Sequence, residues 1–164
     1  MNQSHKKTKV IFPQDMSSVR VAWVQAEWHR SIVDVAYHAF VKEVGCHGIS
    51  DTQIELFKVP GSFEIPLVIR RLANSKRFDL AVGSGLVVDG GIYRHDFVAQ
   101  SVVNGLMQVQ LETGMPVLSA VLTPHHFHEH QVHEKFFQEH MILKGKEVGS
   151  ACIQTIHLHH KLAA

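Results

Sequence analysis

Residues 83–97 read GSGLVVDGGIYRHDF. They close an apolar run from Leu80 to Val88, which predicts a buried β-strand. The run breaks at Asp89, Gly90 and Gly91. A helical pattern starts at once, with Phe97, Val98, Val102, Gly105, Leu106 and Val109 on one face. A strand, a two-glycine turn and a helix start leave several backbone N–H groups unpaired at one point. The positive end of the helix dipole adds to them, and together they make an anion site. Arg94 and His95 sit in the first helical turn beside it. A cation, a titratable imidazole and an anion cradle point to chemistry on a phosphate-bearing substrate. A plain tight turn with solvated polar neighbours is the competing reading of the same residues.

The chain on either side repeats the strand–helix alternation. Upstream, Val19 to Gln25 predicts a first strand, ended by Ala26, Glu27, Trp28 and His29. A helix follows through Ile32, Val33, Ala36, Phe40, Val41 and Val44, with Gly45 and Gly48 as its stop. Ile54 to Val59 predicts the second strand and Pro60-Gly61 a turn. The next helix starts near Pro66, an acceptable first-turn position for proline, and runs to about Ser75. Downstream, a long helix from about Arg94 to Thr113 ends at Gly114. Val117 to Leu122 predicts the fourth strand. Two further helices are expected, a short one at 129–140 and a last one at 146–160. The order β-α-β-α-β-α-β-α implies a single three-layer α/β/α domain around a four-stranded parallel sheet, with right-handed crossovers. Residues 19–164 form this domain. Residues 1–18 are an N-terminal arm whose apolar piece, Thr8 to Phe12, either adds to a neighbour's sheet edge or frays.

Composition narrows the class. The 164 residues suit one domain, and 45% hydrophobic content makes it globular. A net charge of +1 gives no field for nucleic acid. Cys46 and Cys152 lack metal-type spacing and fit a reducing cytoplasm. Residues 1–9 are polar, unlike a signal peptide. No apolar run reaches the roughly 20 residues of a membrane helix.

In such a sheet, ligands bind beyond the carboxyl ends of the strands. Four groups collect there: Trp28-His29, Gly61 to Glu64, Leu86 to His95, and Thr123 to His126. Trp28 is either an exposed stacking platform for a planar heterocycle or a core aromatic capping the helix. Glu64 either accepts a hydrogen bond from a ring N–H or caps the helix behind it.

Four stretches then carry a resemblance. They are Trp28 after the first strand; the quite specific run Val59-Pro60-Gly61-Ser62-Phe63-Glu64-Ile65-Pro66; the turn from Asp89 to Val98; and Gly114-Met115-Pro116-Val117 leading to Leu122-Thr123. From about Val19 to the last helix the chain resembles the lumazine synthases of riboflavin biosynthesis. The stretches IYRHDFV (92–98) and TPHHFHE (123–129) bring it closest to the second-type bacterial branch.

The resemblance implies a flavodoxin-like lumazine synthase fold and a transferase activity. 5-Amino-6-(D-ribitylamino)uracil and 3,4-dihydroxy-2-butanone 4-phosphate condense to 6,7-dimethyl-8-ribityllumazine, with release of phosphate. An imine forms, phosphate is eliminated and the second ring nitrogen closes the pyrazine. No metal or organic cofactor is implied, and no nucleic-acid or membrane partner. The implied assembly is a homo-oligomer of pentamers, a decamer in this branch, with sites between neighbouring subunits.

By resemblance, Trp28 stacks on the pyrimidine, and Ser62, Phe63 and Glu64 bind the ribityl chain and ring edge. Leu86, Val87 and Val88 line the pyrimidine pocket, while Gly91 and Ile92 supply backbone donors to the phosphate. Ser119 takes the place of an aromatic from the adjacent subunit. The family's proton-transfer histidine position holds Arg94, with His95 one step later. Its phosphate-binding arginine position holds His133. A flavin- or lumazine-binding assembly protein with low turnover is the alternative function. A flavodoxin-type electron carrier fits poorly, because no Ser/Thr-rich phosphate loop follows the first strand.

The chain holds 14 histidines, several of them at 125–130 and 157–160. His126, His130 and His133 have the spacing of one helical face, which is the metal reading. Against it, the H-E-x-x-H pattern fails at Val132 and no cysteine lies nearby. A pH-sensitive interface and plain surface polarity are the other readings.

Overall fold

The computed structural model describes residues 15–89, 94–124 and 131–163, without the side chains of 131–134. Its centre is strand β1, Val21–Ala26, with all six residues buried. β1 pairs in parallel with β2, Ile54–Val59, on one side and with β3, Leu80–Leu86, on the other. β3 in turn pairs in parallel with β4, Val117–Leu122, giving the order β2-β1-β3-β4. The two inner strands are covered on both faces, so they read as unbroken apolar runs. The edge strands carry polar residues such as Glu55, Lys58 and Ser119.

Helices α1 (Arg30–Gly45) and α4 (Gln131–Ala163) cover one face of the sheet; α2 (Ile65–Asn74) and α3 (His95–Thr113) cover the other. Alternate residues of β1 divide between the two cores. Val21 and Trp23 face α1 and α4; Ala22, Val24 and Ala26 face α2 and α3. Trp23 anchors the first core, with ring centroids 4.8 Å from Phe40 and 5.6 Å from Tyr37. Met16 also packs in this core, and its carbonyl accepts a hydrogen bond from Gln53 Nε2 at 2.7 Å. The three-layer parallel architecture is the one expected from the alternation of strands and helices.

Two expectations fail. The C-terminal region is one helix of 33 residues, not two helices separated near Lys144-Gly145. Gly145, inside this helix, is a point of close approach: a Cβ there would run into the Ala36 carbonyl oxygen of α1 and lie 2.9 Å from the Ala39 Cβ. The two helices cross tightly at this point. Phe97 is the second exception. It was expected on the buried face of α3, where Val102, Leu106 and Val109 do lie, but it is exposed in the first turn.

Candidate functional site at the strand carboxyl ends

The connections from β1 and β3 leave on opposite faces of the sheet, to α1 and α3, and the two strands are neighbours. A crevice therefore opens beyond their carboxyl ends. The Glu27 N–H donates to the Val59 carbonyl at 2.8 Å, which extends the β1–β2 pairing by one residue. The chain then turns sharply. His29 sits in the left-handed region, at φ 55° and ψ 39°, and its carbonyl accepts from the Ile32 and Val33 N–H groups to start α1. Histidine tolerates this conformation at a cost of about 1–3 kcal/mol, which the surrounding structure must offset.

The turn leaves Trp28 66% exposed, so it is not a core aromatic. The edge of its ring lies against Gly61, where an added Cβ would be 3.2 Å from Trp28 Cε3 and Cζ3. Glu64 Oε2 accepts from the Gly61 N–H at 2.9 Å. One carboxylate oxygen thus closes the turn, in keeping with the capping reading. Ser62 is buried, and its hydroxyl fills the space that a side chain at Gly85 would need. Phe63 stands 64% exposed on the same rim. Leu86 and Val87 are buried and Val88 is half-buried. The Val87 N–H donates to the Leu122 carbonyl at 2.9 Å, which carries the β3–β4 pairing one residue past the strand.

Trp28, Ser62, Phe63, Glu64 and Leu86 to Val88 thus gather around the carboxyl ends of β1, β2 and β3. Ser119 does not join them. It lies on edge strand β4 opposite Gly83, three residues before the strand's end, and is exposed. Gly91 and Ile92 lie outside the described residues, as does the side chain of His133.

Arg94 immediately precedes α3 and is exposed; His95 is the first residue of α3 and half-buried. Arg94 Nη2 donates to Asp96 Oδ2 at 3.1 Å, and its guanidinium carbon lies 4.1 Å from the Phe97 ring centre. This contact accounts for the exposed position of Phe97. Desolvation pushes the Asp96 carboxyl up, but the hydrogen bond and charge of Arg94, with nearby backbone N–H groups, hold it below the usual range.

Beneath the Trp28 turn lies a polar chain that the sequence reading missed. Gln25 is 1% exposed. Its Oε1 accepts from Trp23 Nε1 at 3.1 Å, and its Nε2 donates to Asp34 Oδ1 at 2.5 Å. Arg30 Nε donates to the other Asp34 oxygen at 3.0 Å. The available signal was a glutamine ending an apolar strand. As for metals, no three His, Cys, Asp or Glu side chains among the described residues are placed to hold an ion. The 125–130 histidine segment lies outside those residues.

Comparison with known proteins agrees with the geometry. The sequence model of the 6,7-dimethyl-8-ribityllumazine synthase family matches residues 18–160. The chain is 55% identical over 137 residues to 6,7-dimethyl-8-ribityllumazine synthase 2 of Pseudomonas syringae pv. tomato, covering 84% of this chain and 81% of that protein. It is 51% identical over 142 residues to 6,7-dimethyl-8-ribityllumazine synthase of Rhodococcus erythropolis, covering 87% and 92%. It is 52% identical over 144 residues to a synthase 2 of Bradyrhizobium diazoefficiens, covering 88% and 86%. With its parallel sheet, its strand-end cluster and a match across nearly its whole length, the chain belongs to the 6,7-dimethyl-8-ribityllumazine synthase family.

Proposed function

We infer that the protein condenses 5-amino-6-(D-ribitylamino)uracil with 3,4-dihydroxy-2-butanone 4-phosphate to 6,7-dimethyl-8-ribityllumazine and phosphate, the lumazine-forming step of riboflavin biosynthesis. The family match over residues 18–160 carries this reading, and the exposed Trp28 beside Gly61 and Glu64 supports it. Trp28 offers the pyrimidine a flat apolar face. Ser62, Phe63 and Glu64 meet the ribityl chain and ring edge, and Leu86 to Val88 line the pocket. One Glu64 oxygen closes its own turn; the other serves a ring N–H.

At the other end of the crevice, Arg94 holds the substrate phosphate with Gly91, Ile92 and His133. Its contact with Asp96 joins two exposed side chains that solvent screens, so exchange for a doubly charged phosphate is favourable. His95 moves protons during imine formation and ring closure, since an imidazole can both accept and donate a proton. Holding two reactants in register supplies much of the acceleration.

The working unit in this reading is a homo-oligomer built from pentamers, with decamers as the full assembly. Phe97, Val103, Met107 and Leu111 form an apolar stripe on the outer side of α3, 46–76% exposed. Ser119 is exposed on an edge strand and away from its own chain's cluster, which supports a contact with a neighbour's site. The arm at 1–18 serves the same contacts. Two unpaired cysteines fit a cytoplasmic enzyme.

Mixing the purified protein with both substrates should produce lumazine absorbance and inorganic phosphate in equal amounts. A folded protein that yields neither overturns the reading. A light-scattering mass of one 18.4 kDa chain at micromolar concentration overturns the assembly.

A further inference from the structure

We propose that Gln25 is a positioning residue for the substrate ring: it fixes the β1–α1 turn so that Trp28 stands at the rim of the crevice. The proposal rests on the reading of Trp28 as the ring platform. Trp28 has no packing of its own sufficient to hold it, since most of its surface is open to solvent. Its place depends on the backbone of residues 26–30, and that backbone passes through the left-handed conformation of His29. Something on each side of the turn must hold this geometry.

The hydrogen-bond chain does so. Gln25 lies one residue before the end of β1, on the face that carries Val21 and Trp23, where the strand pattern otherwise places apolar residues. Its amide spans the layer between sheet and helix. Trp23 Nε1 donates to Oε1 from below, and Asp34 Oδ1 accepts a hydrogen bond from Nε2 above. Asp34 is in the second turn of α1, and its other oxygen accepts from Arg30, the first residue of that helix. Residues 25, 30 and 34 therefore bracket the turn on both sides and tie the start of α1 to the strand that feeds it. The outer link, from Arg30 to Asp34, is largely exposed. The Trp23–Gln25 link is buried and the Gln25–Asp34 link partly buried, where a hydrogen bond lost without replacement leaves a polar group unsatisfied. An apolar side chain at 25 would fill the same layer but leave α1 free to settle at another angle, and Trp28 would move with it.

A double-mutant cycle on the full-length protein tests this. Gln25→Met, Trp28→Ala and the double variant are compared by equilibrium dialysis with 6,7-dimethyl-8-ribityllumazine and by steady-state kinetics. Gln25→Met should weaken lumazine binding about fivefold and raise the KM for the pyrimidine, with the KM for the butanone phosphate within about twofold of wild type. In the Trp28→Ala background the same change should have no further effect on lumazine binding. Additive losses would show that Gln25 does not act through Trp28 and would overturn the proposal. Unchanged lumazine binding in Trp28→Ala alone would instead remove the platform reading, and the proposal with it. Should Gln25→Met not fold, Asp34→Ala, which cuts the same chain nearer the surface, takes its place in the cycle with the same expected and overturning results.

Discussion

Trp28 and Gly61 meet edge to backbone: one carbon added to Gly61 would lie 3.2 Å from the indole ring. Gly61 has φ −139° and ψ 177°, extended backbone that any residue adopts, so the glycine is required by its neighbours and not by its own conformation. Gly61→Ala should therefore fold normally and displace the ring. Losing a stacking geometry is worth about 0.5–1.5 kcal/mol, or about two- to tenfold in affinity for lumazine. Because Trp28 is exposed it can swing aside cheaply, and the melting temperature should fall by only about 2–4 °C. Equilibrium dialysis and a thermal melt on the same preparation check both halves; unchanged affinity would mean the ring position is irrelevant to binding.

Gly145→Ala sets two effects of opposite sign against each other. Alanine is a better helix former than glycine by about 1 kcal/mol. Against that, the new Cβ meets the Ala36 carbonyl oxygen, a backbone atom of α1 that no side-chain rotation can move. Pushing two packed helices apart costs about 1–3 kcal/mol or more, so the clash wins. The variant should melt about 2–8 °C below wild type. A higher melting temperature would mean the two helices are not in close contact here.

How much of this was legible in the sequence depends on the range of the interactions. The strands at 54–59 and 117–122 could be bounded because turn residues, Pro60-Gly61 and Pro116, flank them. The strand-end cluster was legible because each contributor sits directly after its own strand, and a parallel sheet brings those ends together. The single helix Gln131–Ala163 reads as two in the sequence, since the close contact of Gly145 with α1 is not visible until the partner helix is known. Phe97 was misplaced because its cover is the Arg94 guanidinium from its own helix start, an interaction that periodicity does not register. The Gln25 chain joins two elements across a layer, and a single glutamine at the end of an apolar strand carries no sign of its partner.

The two thiols should behave differently. Cys152 is buried in the core on the inner face of α4, and burial pushes its thiol up to about 12; Cys46 is exposed. At pH 8 an alkylating reagent should label Cys46 in the native protein and reach Cys152 only after denaturation. Burial also links this group to stability. The folded thiol titrates above the unfolded one, whose ordinary value is near 9, so its contribution is intact below about pH 9 and is lost as pH rises toward about 12. Across that window wild type should lose about 1 kcal/mol more per pH unit than Cys152→Ala in urea unfolding. Parallel curves for the two proteins would show that the thiol does not remain protonated in the folded state.

The last pair to separate is Arg94 and His95. Arg94 is exposed just ahead of α3 with its guanidinium on Asp96 and Phe97, and His95 is half-buried one residue on. Arg94 has non-helical backbone, at φ −76° and ψ 84°, while His95 opens the helix. A guanidinium stays charged across the working pH range and suits a phosphate, but it is a poor proton carrier. An imidazole has the opposite aptitude. Arg94→Ala should therefore raise the KM for the butanone phosphate by about tenfold or more, the loss of one charge-assisted contact, and leave the KM for the pyrimidine near wild type. His95→Ala should lower kcat by about 10²-fold or more, with both KM values near wild type. Arg94→Lys separates charge from shape: a partial recovery of KM would show that charge alone suffices, and none would show that the planar fork is needed. Asp96→Ala adds an independent check. Freed from its internal partner, Arg94 should bind the phosphate substrate at least as well as in wild type. A large rise in that KM would mean that Asp96 holds Arg94 in place for the phosphate and does not compete for it.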